Sequence, residues 1–123
     1  MLLEDFYTIL KSNILEEQAF EVSVEIHKEH DIFKGHFPNF PVTPGVALLQ
    51  IIKNSLETHL HYSLLMKSSS NIKFLNLVNP YEESILVFNI NFTFEKDLIK
   101  VKNSTSFKDG RSVMKCNVTF VKK

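Results

Sequence analysis

The chain has 123 residues, 44% of them hydrophobic and 23% charged, which suits one domain burying about two-thirds of the surface it exposes when unfolded. Fourteen basic residues balance fourteen acidic ones, so no net field draws nucleic acid or an anionic membrane, and the apolar content excludes a disordered chain. The single cysteine, Cys116, excludes an internal disulfide and any Cys-based metal cluster. No apolar run approaches the ~18 residues of a membrane span. The acidic start, MLLEDFYTIL, lacks the basic flank of a signal peptide. A soluble, cytoplasmic protein of one domain, residues 1–123, is expected.

In chain order, LLEDFYTILKSN sets Leu3, Phe6, Tyr7 and Leu10 on one helical face. Asn13 tolerates the left-handed conformation that ends helices, so a first helix is expected here. FEVSVEIH alternates cleanly, Phe20, Val22, Val24 and Ile26 facing one way, and reads as a half-buried strand. A proline-rich loop, GHFPNFPVTPG, precedes a helix from Val46 to Leu60 whose first turns, VALLQII, are apolar nearly all round. Such a helix is buried on most sides. Serines and asparagines then lead into IKFLNLV, closed by Asn79-Pro80. Leu86, Phe88, Ile90, Phe92 and Phe94 alternate along the next strand, and Glu95-Lys96-Asp97 turns the chain. Ile99, Val101, Thr105 and Phe107 follow, then Asp109-Gly110, a strong hairpin signal. Met114, Cys116, Val118 and Phe120 share one face of the last strand, which makes Cys116 an inert core thiol.

The expected order is helix, strand, loop, apolar helix and four strands joined as an antiparallel meander. One antiparallel sheet curled around a central apolar helix satisfies this pattern, because the strands offer a single apolar face. A two-layer α+β sandwich is the alternative, and periodicity does not separate the two.

Candidate chemistry sits in the loop. Pro38, Pro41 and Pro44 each fix φ and extend the residue before them, so His36 is held rather than free. Pro44-Gly45 opens the apolar helix, and Gly45 allows close approach to the backbone. The first amides of that helix have no intrahelical acceptor and carry partial positive charge, which suits a polarised carbonyl oxygen. A fixed imidazole, a helix start and an apolar wall together suit proton abstraction beside a thioester carbonyl. Spacing alone leaves a structural or solvent-facing His36 open. His27, His30, His59 and His61 show no metal-ligand spacing, and neither a metal nor a cofactor is expected.

The stretch Gly35-His36-Phe37-Pro38, Pro41-Val42 and Pro44-Gly45-Val46 resembles the G-H-F-P-x-x-P-V-x-P-G-V signature of the hotdog-fold 3-hydroxyacyl-acyl-carrier-protein dehydratases. DIFKGHFP is similar to the family's approach to its histidine, IKFLNLVNP to the strand after its central helix, and order and length fit from about residue 15 to 121. The resemblance implies an α+β hotdog fold and two subunits that pair to build sites at their interface; the charge balance already argues against a nucleic-acid or membrane partner. It implies His36 as catalytic base, the Gly45 amide as the ligand of the thioester carbonyl, and Phe37 and Val46 beside the substrate. The substrate would be an acyl thioester of acyl carrier protein or coenzyme A, in fatty acid or polyketide biosynthesis.

The chain departs from that pattern at Gln50, where the family carries a Glu or Asp supplied across the dimer. An amide can accept or donate a hydrogen bond but cannot shuttle a proton as a carboxyl can. Asn54 and Glu57 follow at helical spacing and extend one polar stripe, with Glu57 roughly 10 Å further along the axis. Three functions follow: a dehydratase, weakened as a homodimer, in which Gln50 orients the hydroxyl; a non-catalytic acyl-thioester-binding subunit that pairs with an active hotdog paralogue; and a thioesterase, against which Gln50 argues. An obligate dimer and an apolar acyl tunnel running from His36 and Gly45 along the helix are expected.

Overall fold

The computed structural model describes residues 5–35 and 42–123. Strands β1 (Tyr7–Glu16) and β2 (Ala19–Ile26) come first, then a single turn of helix, α1 (Ile32–Gly35), and the long helix α2 (Gly45–Leu60). Strands β3 (Leu64–Phe74), β4 (Ile85–Glu95), β5 (Leu98–Phe107) and β6 (Ser112–Lys122) complete the chain. All six strands form one antiparallel sheet in the order β1-β2-β4-β5-β6-β3.

Alternating residues of the inner strands supply the core. Phe20, Val22, Val24 and Ile26 of β2 are buried, as are Leu86, Phe88, Ile90 and Phe92 of β4 and Met114, Cys116, Val118 and Phe120 of β6. The apolar face of α2, made by Ala47, Leu48, Ile51, Ile52 and Leu56, joins the same cluster. Positions 47/48, 51/52 and 55/56 recur at the helical period, so this stripe is what the sheet covers. Burial pushes the Cys116 thiol above its usual range, a hydrogen bond with Asn103 opposing it in part. The thiol therefore stays protonated and inert at neutral pH.

Two expectations need correction. Among the described residues the opening segment is not a helix: residues 7–16 form β1, paired with β2 from Tyr7–Ile26 to Glu16–Ala19. The four later strands are not one meander either. β4, β5 and β6 are, but β3 lies beyond β6, with Leu64 opposite Lys122 and Phe74 opposite Met114. Strand β3 also starts at Leu64, so the serines expected to lead into it lie within it, and it ends at Phe74 rather than at Asn79-Pro80.

The turns follow local chemistry. Lys96 takes a positive φ of 56° between β4 and β5, and Gly110 one of 97° between β5 and β6. At the second turn, the Asp109 carboxylate accepts hydrogen bonds from the Arg111 backbone N–H at 3.0 Å and from Nε at 2.8 Å. Those bonds, the backbone one first, hold its carboxyl below the usual carboxylate range. Helix α2 ends at His61, whose φ of 66° is left-handed and whose N–H donates to the Glu57 carbonyl at 2.8 Å.

Candidate active site

His36, Phe37, Pro38 and Pro41 lie outside the described residues, and with them the mouth of the expected acyl tunnel. The flanks of the loop are described. The chain leaves α1 at Gly35 and re-enters at Val42. Thr43 is then anchored by its N–H donating to the Val78 carbonyl at 2.8 Å. Its hydroxyl is buried and, among the described residues, has no hydrogen-bond partner. Pro44 is extended (φ −64°, ψ 144°), and its carbonyl accepts the Ala47 N–H at 3.0 Å, which starts α2. Among the described residues no side chain caps this helix start, and the first amides of an α-helix have no partner within the helix itself.

Gly45 leaves room here for a neighbouring ring. A Cβ at this position would stand 2.5 Å from Cζ of Phe74, the last residue of β3. The Phe74 ring therefore rests on the helix start, 54% exposed. Val46, next on the helix, is 58% exposed in the single chain. The helix is thus covered by its own sheet on one face and open at its first turn.

Gln50 is half-buried on α2, and its Nε2 donates to Asn54 Oδ1 at 2.8 Å. Asn54 Nδ2 in turn donates to the Tyr7 hydroxyl of β1 at 3.2 Å. Glu57 parts from this stripe. Its Oε2 accepts the Leu64 N–H at 2.7 Å and faces Lys53 Nζ at 3.8 Å, so it secures the start of β3. The spacing that suggested one polar stripe thus resolves into two devices, one around Gln50 and one that is structural.

The side chains of His27, His59 and His30 make structural contacts. His27 Nδ1 donates to the Asp5 carbonyl at 2.6 Å and Nε2 accepts from the Thr8 hydroxyl at 2.5 Å, which braces β1 against β2. An open cleft of about 780 Å³ at Asp5, His27, Lys28 and Tyr81 therefore contains an imidazole already committed on both nitrogens. His59 stacks on Phe20 with ring centroids 4.3 Å apart. His30 Nδ1 accepts the Ile32 N–H at 3.0 Å. Among the described residues, no three His, Cys, Asp or Glu side chains group as a metal site, and no helix is long and apolar enough to cross a membrane. Sequence reasoning missed Phe74 and Tyr7 as neighbours of the site. Nothing local marks them, since each reaches it through pairing of a distant strand.

A six-stranded antiparallel sheet with one central helix is the hotdog fold, and solved structures share it. One chain of the dehydratase heterocomplex ApeI:P from Xenorhabdus doucetiae superposes with a TM-score of 0.76 at 19% identity, over 93% of this chain and 96% of that one. A hypothetical thioesterase with coenzyme A from Streptococcus pneumoniae superposes with a TM-score of 0.67 at 14% identity, over 99% and 91%. In sequence, the chain is 27% identical over 105 residues to the 3-hydroxyacyl-[acyl-carrier-protein] dehydratase FabZ of Lactococcus lactis, covering 80% of this chain and 70% of that protein. Residues 12–111 match the ApeI-like family, described as ApeI dehydratase. The chain belongs to the ApeI-like dehydratase family.

Proposed function

We propose that the protein dehydrates 3-hydroxyacyl thioesters to 2-enoyl thioesters, slowly as a homodimer. The observation that carries this reading is the His36 motif leading directly into the uncapped Gly45 helix start, within a chain of a dehydratase family. The thioester carbonyl would accept from the first amides of α2, and His36 would remove a proton from C2. As the electron pair moves to form the C2–C3 double bond, the C3–O bond breaks. The departing hydroxide takes the proton from the imidazolium and leaves as water. Gln50 of the partner subunit stands where a carboxyl group would otherwise supply that proton. His36 therefore acts as both base and acid, from which a low rate is expected, since general acid catalysis typically contributes ~10²–10⁴. The helix amides still stabilise the enolate oxygen, a contribution of ~3–4 kcal/mol in comparable sites.

The test is steady-state turnover of one 3-hydroxyacyl thioester by wild type, His36→Ala and Gln50→Glu. His36→Ala should be inactive, and Gln50→Glu faster by about tenfold or more, within the general-acid range. The new carboxyl should add a second titrating limb to the pH–rate profile. An unchanged rate in folded Gln50→Glu removes Gln50 from the site.

A second reading has one observation in its favour. Gln50 leaves a homodimeric site without a carboxyl, and a structurally similar chain comes from a dehydratase heterocomplex. In that reading this chain supplies His36 to a site completed by a carboxylate from another hotdog subunit. Adding such a subunit to the same assay raises turnover beyond the sum of the two alone if the reading holds.

A further inference from the structure

The relay behind Gln50 determines which end of its amide a ligand meets. Gln50 and Asn54 are one helical turn apart, and Nε2 of the first donates to Oδ1 of the second at 2.8 Å. Asn54 is itself held from outside the helix, because its Nδ2 donates at 3.2 Å to the hydroxyl of Tyr7, 47 residues away on β1. An amide nitrogen only donates and an amide oxygen only accepts. With Nε2 turned toward Asn54, Oε1 is turned away from it, and among the described residues Oε1 has no hydrogen bond within the chain. Gln50 is half-buried rather than sealed, so that oxygen is open to a ligand.

A lone acceptor discriminates in one direction. It can pair with a hydroxyl hydrogen, and it offers nothing to a methylene at the same place. A buried acceptor that loses water and gains no donor is penalised, so a site built this way rejects a chain lacking the hydroxyl. We infer that Asn54 and Tyr7 are positioning residues that hold the Gln50 carbonyl oxygen toward the bound acyl chain, making the site selective for thioesters that carry a 3-hydroxyl donor. This inference rests on the dehydratase reading above and adds the means of substrate selection to it. It also assigns the amide a use at the position of the family's acid: it fixes the leaving hydroxyl by its hydrogen while leaving the oxygen's lone pairs free to take the proton from His36.

The sense of the relay gives the test. In Asn54→Asp both oxygens accept, so Gln50 Nε2 still donates to position 54, the Tyr7 hydroxyl donates there too, and Oε1 stays outward. Asn54→Leu removes the hold altogether, and Tyr7→Phe removes only its outer anchor with no change to the helix. The measurement is equilibrium binding of 3-hydroxyoctanoyl-pantetheine and octanoyl-pantetheine in a His36→Ala background, where the hydroxyl ligand is not turned over. The expected preference for the hydroxyl ligand is about two- to tenfold, the range of one neutral hydrogen bond. It should persist in Asn54→Asp, vanish in Asn54→Leu and shrink in Tyr7→Phe, without loss of octanoyl-pantetheine affinity, which rises where release of the amide relieves the penalty on the unpaired acceptor. A preference that survives Asn54→Leu overturns the inference and leaves the dehydratase reading standing, as does equal weakening of both ligands, the signature of a purely structural role. Absence of binding by either ligand overturns the dehydratase reading itself.

Discussion

At Gly45, backbone freedom and a neighbouring ring answer to each other. Gly45 has an ordinary helical start, so an alanine there would lower the entropy of the unfolded chain and stabilise the fold by ~0.4–1 kcal/mol if space allowed. Space does not allow it, because the new Cβ would lie 2.5 Å from Phe74 Cζ and 3.0 Å from Cε1. The ring is half-exposed at the end of an edge strand, so it can swing aside at modest cost. Gly45→Ala should therefore be close to neutral in wild type and stabilising by ~0.4–1 kcal/mol in a Phe74→Ala background. The double-mutant cycle, read by denaturant unfolding, should show coupling of ~0.5 kcal/mol or more. Strict additivity would mean that the ring does not rest on the helix start. The contact was not legible in the sequence. Gly45 followed from the loop motif, but only the pairing of β3 with β6, Phe74 opposite Met114, brings the ring to it.

Elements were legible in proportion to how much of them is buried on alternate positions. β2, β4, β5 and β6 each bury one face, and their period of two shows directly in the sequence. Strands β1 and β3 are the two edges, pair on one side only and remain largely exposed on both faces, so no alternation survives. Register shifts between Ile9 and Lys11, and between Met66 and Ser68, break what phase remains. Apolar residues of β1 then fell by chance at helical spacing. Helix α2 was read correctly because its buried stripe is long, but its polar stripe misled. Glu57 shares a face with Gln50 by spacing, yet its carboxylate is engaged by the Leu64 N–H. Glu57→Ala should therefore destabilise the protein by ~1–3 kcal/mol, the cost of leaving that buried amide unpaired. Glu57→Gln, which still offers an oxygen, should restore most of it in thermal or denaturant unfolding. Turnover per folded molecule should stay near wild type in Glu57→Gln. A fall in the ~10²–10⁴ range would instead identify Glu57 as the acid of the reaction.

For the molecule as a whole, the unpaired edges set the next requirement. A long edge strand with exposed apolar residues templates pairing with another chain unless something covers it. Strand β3 exposes Leu65, Met66, Ile72 and Phe74, and the following residues Leu75 and Leu77 continue the row. Its last ring lies against the start of α2, where Val46 is also exposed, so strand edge and helix start form one apolar surface. The other edge, β1, exposes Ile9, Leu10, Ile14 and Leu15 but has no such continuity with the helix start. Pairing β3 with β3 of a second copy would cover the surface symmetrically and bring the second copy beside the Gly45 helix start. The expected particle in solution has twice the 14.3 kDa chain mass, and light scattering at micromolar concentration measures it. Ile72→Glu, a charge in the middle of that edge, should dissociate the dimer, whereas Ile9→Glu on β1 should leave it intact. Under the proposed function the partner subunit supplies Gln50, so the Ile72→Glu monomer should also lose turnover while keeping its fold. A wild type that scatters as a stable monomer and still dehydrates its substrate would place the whole site within one chain.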